Sequence, residues 1–116
     1  MIRRFAIRDT PVLIYRDKKQ AGYAAGEQVE QMLARRIAES RRARIIEATG
    51  NNQEILIQGL AGPTHLRWRA VTVFQMNEYL GIAEDHLASF RRWLKRHLVE
   101  RVHPWTVHYL AGDADD

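Results

Sequence analysis

Ala70 to Gly81 reads A-V-T-V-F-Q-M-N-E-Y-L-G, and the fold turns on how this stretch changes character. Val71, Thr72, Val73 and Phe74 form a β-rich apolar run. The run becomes polar at Gln75, Asn77 and Glu78, and Gly81 supplies a turn. A buried strand that ends in polar side chains is how an open α/β sheet presents chemistry, because ligands sit beyond the carboxyl ends of parallel strands. Asn77 and Glu78 are therefore the candidate site, and the rest of the chain is read as its support.

Working outward, the pattern alternates between strands and helices. Residues 1–10 read as a short arm that ends at Asp9-Thr10-Pro11, a natural turn. Residues 12–15 read as a short buried strand. Asp17 is a suitable N-cap for a helix reaching about Glu39, with Ala21, Ala25, Val29, Leu33 and Ile37 at four-residue steps along one stripe. Gly22 and Gly26 weaken that helix by roughly 1 kcal/mol each relative to alanine, so their expected use is close approach to the sheet. Residues 44–48 form a second strand, 49–53 a loop and 54–60 a short helix, which Gly62-Pro63 breaks. Trp68 leads into the third strand, 70–75. After the 76–81 loop and a polar connection through Asp85, a third helix spans about 87–102, with Phe90, Leu94 and Leu98 on one face. His103-Pro104 ends it, residues 106–110 form a fourth strand, and residues 112–116 form an acidic tail.

The expected order is thus β-α-β-α-β-α-β. That order implies a Rossmann-like three-layer α/β/α domain, with a parallel sheet covered on both faces by right-handed crossovers. The expected division is an arm, 1–10, and a single α/β domain, 11–116.

Composition narrows the function. With 116 residues, 46% of them hydrophobic, the chain holds one domain and is not a disordered segment. It has no cysteine, so disulfides, thiolate metal sites and a cysteine nucleophile are excluded; that absence says little about compartment but fits the cytoplasm, which is the expected location. No apolar run approaches the ~20 residues that span a bilayer, and the basic N-terminus lacks the apolar core of a signal peptide. The net charge of +4 permits an acidic partner or nucleic acid without demanding either. Arg35, Arg36, Arg41, Arg42, Arg91, Arg92, Lys95, Arg96 and Arg101 lie in or beside helix-like segments, where a solvated face is the simpler reading, so nucleic acid is not the expected partner.

Two constellations could carry chemistry. Thr49-Gly50-Asn51-Asn52 follows a strand and opens a helix, where backbone N–H groups and the helix dipole bind phosphate. Spacing alone favours a plain strand-to-helix turn, with Asn52 as a simple N-cap, because a lone T-G is a weak signal. Met76-Asn77-Glu78-Tyr79 offers an amide and a carboxylate. Glu78 could act as a general acid or base if it is partly buried, but spacing alone favours a loop glutamate paired with a nearby arginine. His65, His86, His97, His103 and His108 include no pair at the i,i+4 spacing of a zinc motif, so no metal site is expected. Neither G-x-S-x-G nor a Walker A sequence is present. Trp68, Trp93 and Trp105 read as core or interface anchors rather than base-stacking platforms.

At these residues the chain resembles a known family. Val71 to His86, V-T-V-F-Q-M-N-E-Y-L-G-I-A-E-D-H, is similar to the glucosamine-6-phosphate deaminase pattern of a strand followed by D-E-Y-[VIL]-G-[LI]-x-x-D-H-P. Ala88-Ser89-Phe90-Arg91, His103-Pro104 and the L-A-G-D stretch at 110–113 continue the match. Ala48-Thr49-Gly50 matches the family's A-T-G phosphate loop, and Gln53 matches a branch that carries glutamine where others have proline.

The resemblance runs from about Pro11 to Asp113. It implies a Rossmann-like domain of the sugar-phosphate isomerase and phosphogluconolactonase superfamily, truncated relative to the family. The implied reaction converts an amino-sugar phosphate to a keto-sugar phosphate and ammonia without an organic cofactor. Thr49, Gly50, Asn51 and Asn52 would be the phosphate loop. Position 77 would move a proton at C2 of the opened sugar, with Glu78 and Tyr79 beside it.

Three departures shape the expectation. Asn77 stands where the family has aspartate, and losing a positioned base costs on the order of 10²–10⁴ in rate. Asn51 and Asn52 replace small residues in the phosphate loop. The family also continues into a second half that carries a G-x-D-G-H-type segment. A half-sheet would leave an unpaired edge and exposed apolar helix faces, which predicts a homo-oligomer or a partner protein. The first expectation is therefore a sugar-phosphate domain impaired as an enzyme. The alternative is a non-catalytic interaction or regulatory subunit, and nucleic-acid binding through the arginines is a weaker third.

Overall fold

A computed structural model describes residues 1–62 and 66–114. The Gly62-Pro63 break, His65 and the last two aspartates of the tail therefore lie in part or wholly outside the described residues. The chain opens with a hairpin, β1 (Arg3–Ile7) and β2 (Thr10–Ile14), followed by helix α1 (Lys18–Ser40) and strand β3 (Ala43–Glu47). A 3-10 turn (Asn51–Gln53) runs directly into α2 (Glu54–Ala61), and a second 3-10 turn (Trp68–Ala70) leads into β4 (Val71–Gln75). A third helix, α3, covers 90–102 as Phe90–Leu94, a π-helical stretch Lys95–Val99 and Glu100–Val102, and β5 (Thr106–His108) follows.

Local chemistry accounts for most boundaries. Asp17 caps α1 by accepting the Gln20 N–H at 2.8 Å, which satisfies one of the donors a helix start leaves unpaired. Arg41 closes the other end in the left-handed region, donating its N–H to the Ile37 carbonyl. α3 starts at Phe90, three residues later than the sequence suggests, because the Ser89 hydroxyl caps the Arg92 N–H. His103, at φ 51°, stops α3 just before Pro104.

The parallel sheet has the order β3-β4-β5, with Glu47 opposite Gln75 and Phe74 opposite His108. The class is the α/β, parallel, Rossmann-like one expected, but the strand inventory differs. The stretch expected as the first parallel strand lies in β2, and it pairs antiparallel with residues that read as a short arm. Arg3-Arg4-Phe5-Ala6-Ile7 faces Thr10-Pro11-Val12-Leu13-Ile14 across a tight turn, and Pro11 is tolerated because the hairpin strand is an edge. The hairpin is exposed rather than buried, with Ile7 at 62% and Ile14 at 40% exposure.

Alternation in the strands sorts the sheet into two unlike faces. Ala43, Val71 and Val73 point to a core shared with Leu33 of α1, Ile57 and Leu60 of α2, and Leu94 and Leu98 of α3. On the opposite face lie Arg44, Ile46, Thr72, Phe74 and His108, with Ile46 65% exposed and Phe74 stacked on His108 at 4.6 Å. The described residues thus build two layers of the expected three. The reason is topological. Right-handed crossovers that step across a sheet in one direction lie on one face, and helices reach the other face only where the strand order reverses. β3, β4 and β5 step in one direction throughout.

The glycines of α1 serve a different neighbour from the one expected. A Cβ at Gly26 would lie 2.9 Å from the Leu56 carbonyl oxygen, and one at Gly22 2.7 Å from the Ile55 Cβ. Both glycines therefore admit α2, not the sheet.

Candidate functional site

The loops after β3 and β4 emerge side by side at the carboxyl end of the sheet. Their stems are tied by the Met76 N–H, which donates to the Glu47 carbonyl at 3.1 Å. Gln75, buried at the end of β4, ties the loop after β4 to the segment that follows β5. Its Nε2 donates to the Asn77 carbonyl at 2.9 Å, and its Oε1 accepts from the Leu110 N–H at 3.0 Å.

In the first loop, Thr49 is 9% exposed and its hydroxyl has no hydrogen-bond partner. Gly50 follows at φ 109°, a conformation in which a side chain is strained. The Gln53 N–H then closes onto the Gly50 carbonyl, forming the turn that feeds the N-terminus of α2. Asn51 and Asn52 line a groove of about 260 Å³ against Lys18, Ala21, Gly22 and Ala25 of α1. Asn52 does not cap α2 with its side chain; the helix starts directly from the 3-10 turn.

One residue here was not singled out in the sequence. Glu47 is 5% exposed at the end of β3, on the same side of the strand as Ala43 and Ile45. Burial pushes its carboxyl up to about 7. Its only trace in the sequence is one charge closing the apolar run Ile45-Ile46.

In the second loop the carboxylate of Glu78 is fully engaged. It accepts from the Ser89 hydroxyl at 2.8 Å and from the Phe90, Arg91 and Tyr79 N–H groups at 2.9, 2.9 and 3.0 Å. Partial burial pushes this carboxyl up, but the four hydrogen bonds outweigh that effect and hold it below the usual carboxylate range. Glu78 thereby anchors the first turn of α3, where the helix dipole favours a negative charge. Chemically it is an ionised acceptor with its lone pairs committed to the fold. Asn77 is exposed, and its amide can exchange hydrogen bonds with a ligand hydroxyl but cannot take up a proton from carbon. Tyr79 stacks on Phe90 at 4.9 Å, and the Gly81 N–H donates to the Gly112 carbonyl, which fixes the far end of the loop.

Among the described residues no three His, Asp or Glu side chains are gathered so as to hold a metal ion, and no helix is long and apolar enough to cross a membrane.

The chain matches no protein-family model. It is 31% identical over 110 residues to a glucosamine-6-phosphate deaminase of Arthrobacter sp. (strain FB24), an overlap covering 90% of this chain and 41% of that protein. It is 36% identical over 53 residues to a glucosamine-6-phosphate deaminase of Porphyromonas gingivalis, covering 44% of this chain and 20% of that protein. Among solved structures, a 6-phosphogluconolactonase from Shewanella baltica OS155 superposes with a TM-score of 0.76 at 17% identity, over 84% of this chain and 41% of that one. A monomeric glucosamine-6-phosphate deaminase superposes with a TM-score of 0.73 at 19% identity, over 88% and 43%. These two show the fold. The chain spans less than half the length of the curated relatives it matches. By sequence it is similar to glucosamine-6-phosphate deaminases over less than half of their length, and its fold is shared with part of the solved 6-phosphogluconolactonase and glucosamine-6-phosphate deaminase structures.

Proposed function

We propose that this chain is a cytoplasmic sugar-phosphate domain that binds an amino-hexose 6-phosphate and does not by itself complete the deaminase reaction. The buried Thr49 hydroxyl, left without a partner in the Ala48-Thr49-Gly50 loop, carries the reading. A buried hydroxyl normally finds a hydrogen bond, and one kept without a partner at a strand end is a donor held for a ligand. A phosphate oxygen accepting from Thr49 would also meet backbone N–H groups of the 3-10 turn and the positive end of α2. The sugar would then extend toward Asn77 in the neighbouring loop. Binding requires no cofactor in this reading. The deamination step fails because Asn77 offers an amide where a carboxylate would shuttle the C2 proton.

The test is a thermal-shift titration with glucosamine 6-phosphate, against inorganic phosphate as control. A rise in melting temperature specific to the sugar ester, and absent in Thr49→Val, is expected. No shift with the wild-type chain would remove the reading. Ammonia release is the second readout. Release by the wild-type chain at the rate of an intact deaminase overturns the impairment, whereas a gain in Asn77→Asp supports it.

A second reading rests on the uncovered sheet face. A β-surface carrying Ile46 at 65% and Met76 at 55% exposure suits an interaction or regulatory subunit that pairs with itself or with a full-length relative. Light scattering at high concentration tests it, since a stable monomer speaks against self-association.

A further inference from the structure

The amino end of the sheet carries a second cleft, unrelated to the loops discussed above. Arg42 immediately precedes β3, Ala70 precedes β4 and Trp105 precedes β5, so the three meet at the end opposite Thr49 and Asn77. A strand of five residues separates the two ends, a distance of roughly 16 Å. The cleft has a volume of about 630 Å³, and Arg41, Arg42, Arg67, Arg69 and Trp105 line it beside Ile37 and Ala70. Among the described residues, four guanidinium groups and no carboxylate line it.

The ion pairs of the described residues join Arg91 and Lys95 to Glu84, and none involves these four arginines. Part of the cluster has an ordinary explanation, because cations are favoured where α1 ends. That accounts for Arg41 and Arg42. Arg67 and Arg69 arrive from a separate segment, on either side of Trp68 in the 3-10 turn, and add two more positive charges to the same cleft. Trp105 is the second feature. It is 57% exposed, while Trp68 is buried, and the Arg42 guanidinium lies 5.8 Å from its ring centre. An exposed indole among unpaired arginines is the combination that receives an aromatic base and its phosphates together.

We propose that this cleft binds a nucleoside polyphosphate, with the phosphates on Arg41, Arg42, Arg67 and Arg69 and the base against Trp105. The volume favours a single nucleotide over a strand or a peptide, since small-ligand sites commonly measure about 300–1,000 Å³. Guanidinium forks pair bidentately with phosphate oxygens, which gives the cluster its selectivity for polyphosphate over a single charge.

Isothermal titration calorimetry of the whole chain with ATP, adenosine, inorganic triphosphate and a short oligothymidylate tests this. ATP is expected to bind more tightly than triphosphate and adenosine, with affinity falling as salt rises. The double variant Arg67→Glu/Arg69→Glu, at exposed positions, is expected to weaken ATP by at least about ten-fold. Trp105→Ala should weaken ATP by about ten-fold and leave triphosphate unchanged. Thr49→Val should leave ATP binding intact, so failure at the sugar-phosphate loop and failure here are read separately. ATP affinity insensitive to the arginine pair overturns the proposal. So does triphosphate binding as tightly as ATP, or binding of oligothymidylate without ATP.

Discussion

After β4, every hydrogen-bonding position of one carboxylate is filled: Glu78 holds Ser89, Phe90, Arg91 and Tyr79. After β3, one strand away, the Thr49 hydroxyl is buried without a partner, and Glu47, two residues earlier in the chain, has its carboxyl pushed up by burial. The two loops share a sheet edge and are tied at their stems by the Met76–Glu47 backbone bond. The difference teaches how to separate scaffold from site among polar residues at a strand end. Polar groups whose partners are all internal hold the loop in place, whereas groups that folding leaves without partners are available to a ligand.

Removing Glu78 breaks the satisfied side of that comparison and has the largest expected effect. Glu78→Ala leaves the Ser89 hydroxyl and three backbone donors at the start of α3 without their acceptor. Hydrogen bonds to charged groups contribute about 1.5–3 kcal/mol, so a loss of about 3 kcal/mol in urea-denaturation stability is expected. The effect carries a pH signature. The folded carboxyl titrates below its unfolded value, so its stabilisation is present above the unfolded pKa and is lost as pH falls through the folded one. The wild-type chain should therefore lose stability in acid more steeply than the variant. Equal slopes would mean that the four hydrogen bonds contribute little.

Glu47 sharpens the other side, with the opposite sign. The unfolded chain releases this proton near 4.5, whereas the folded chain retains it to about 7. Between those values the native state binds more protons, so this group's contribution is most favourable below 4.5 and is lost as pH rises to about 7. Glu47→Gln removes the penalty. It should stabilise the chain by about 2 kcal/mol at pH 8 relative to wild type, with the gain fading toward pH 4. Denaturation midpoints across that range decide it, and a pH-independent difference would show that Glu47 ionises freely in the native state.

How much of this was legible in the sequence follows from the range of the interactions involved. The caps at Asp17 and His103, the stripe Val29-Leu33-Ile37 and the strand at 71–75 are set by neighbours a few residues away, and their reading matches the structure closely. The hairpin was missed because its turn is built on Arg8 at φ 53°, not on the glycine or asparagine that usually marks such a turn. The one-sided sheet was missed because alternation of strands and helices does not state the order in which strands pair. The partners of Glu78 lie up to 13 residues ahead, so the sequence offered a carboxylate beside the candidate site but not its attachment to α3. Thr49 and Gly50 were legible as a loop of the right composition, whereas the unpartnered hydroxyl is a property of packing.

The smallest effect on stability is expected on the bare face of the sheet, where the comparison shifts from loops to surfaces. Ile46 and Ile45 are consecutive residues of β3, and the pleat sends them to opposite sides. Ile45 packs against the core cluster, while Ile46 is 65% exposed beside Arg44, Phe74 and Met76, in a depression of about 550 Å³. Ile46→Glu places a charge on a surface already in water, so a stability change within about 0.5 kcal/mol is expected for the monomer. The same charge opposes any apolar partner seated on that face. If the chain self-associates through this surface, light scattering should report a larger species for the wild-type chain and a monomer for Ile46→Glu at equal concentration. A monomer in both cases would mean that the face is left uncovered by copies of this chain, and a larger species in both would move the contact elsewhere, with the exposed hairpin at Ile7 and Ile14 the next surface to vary.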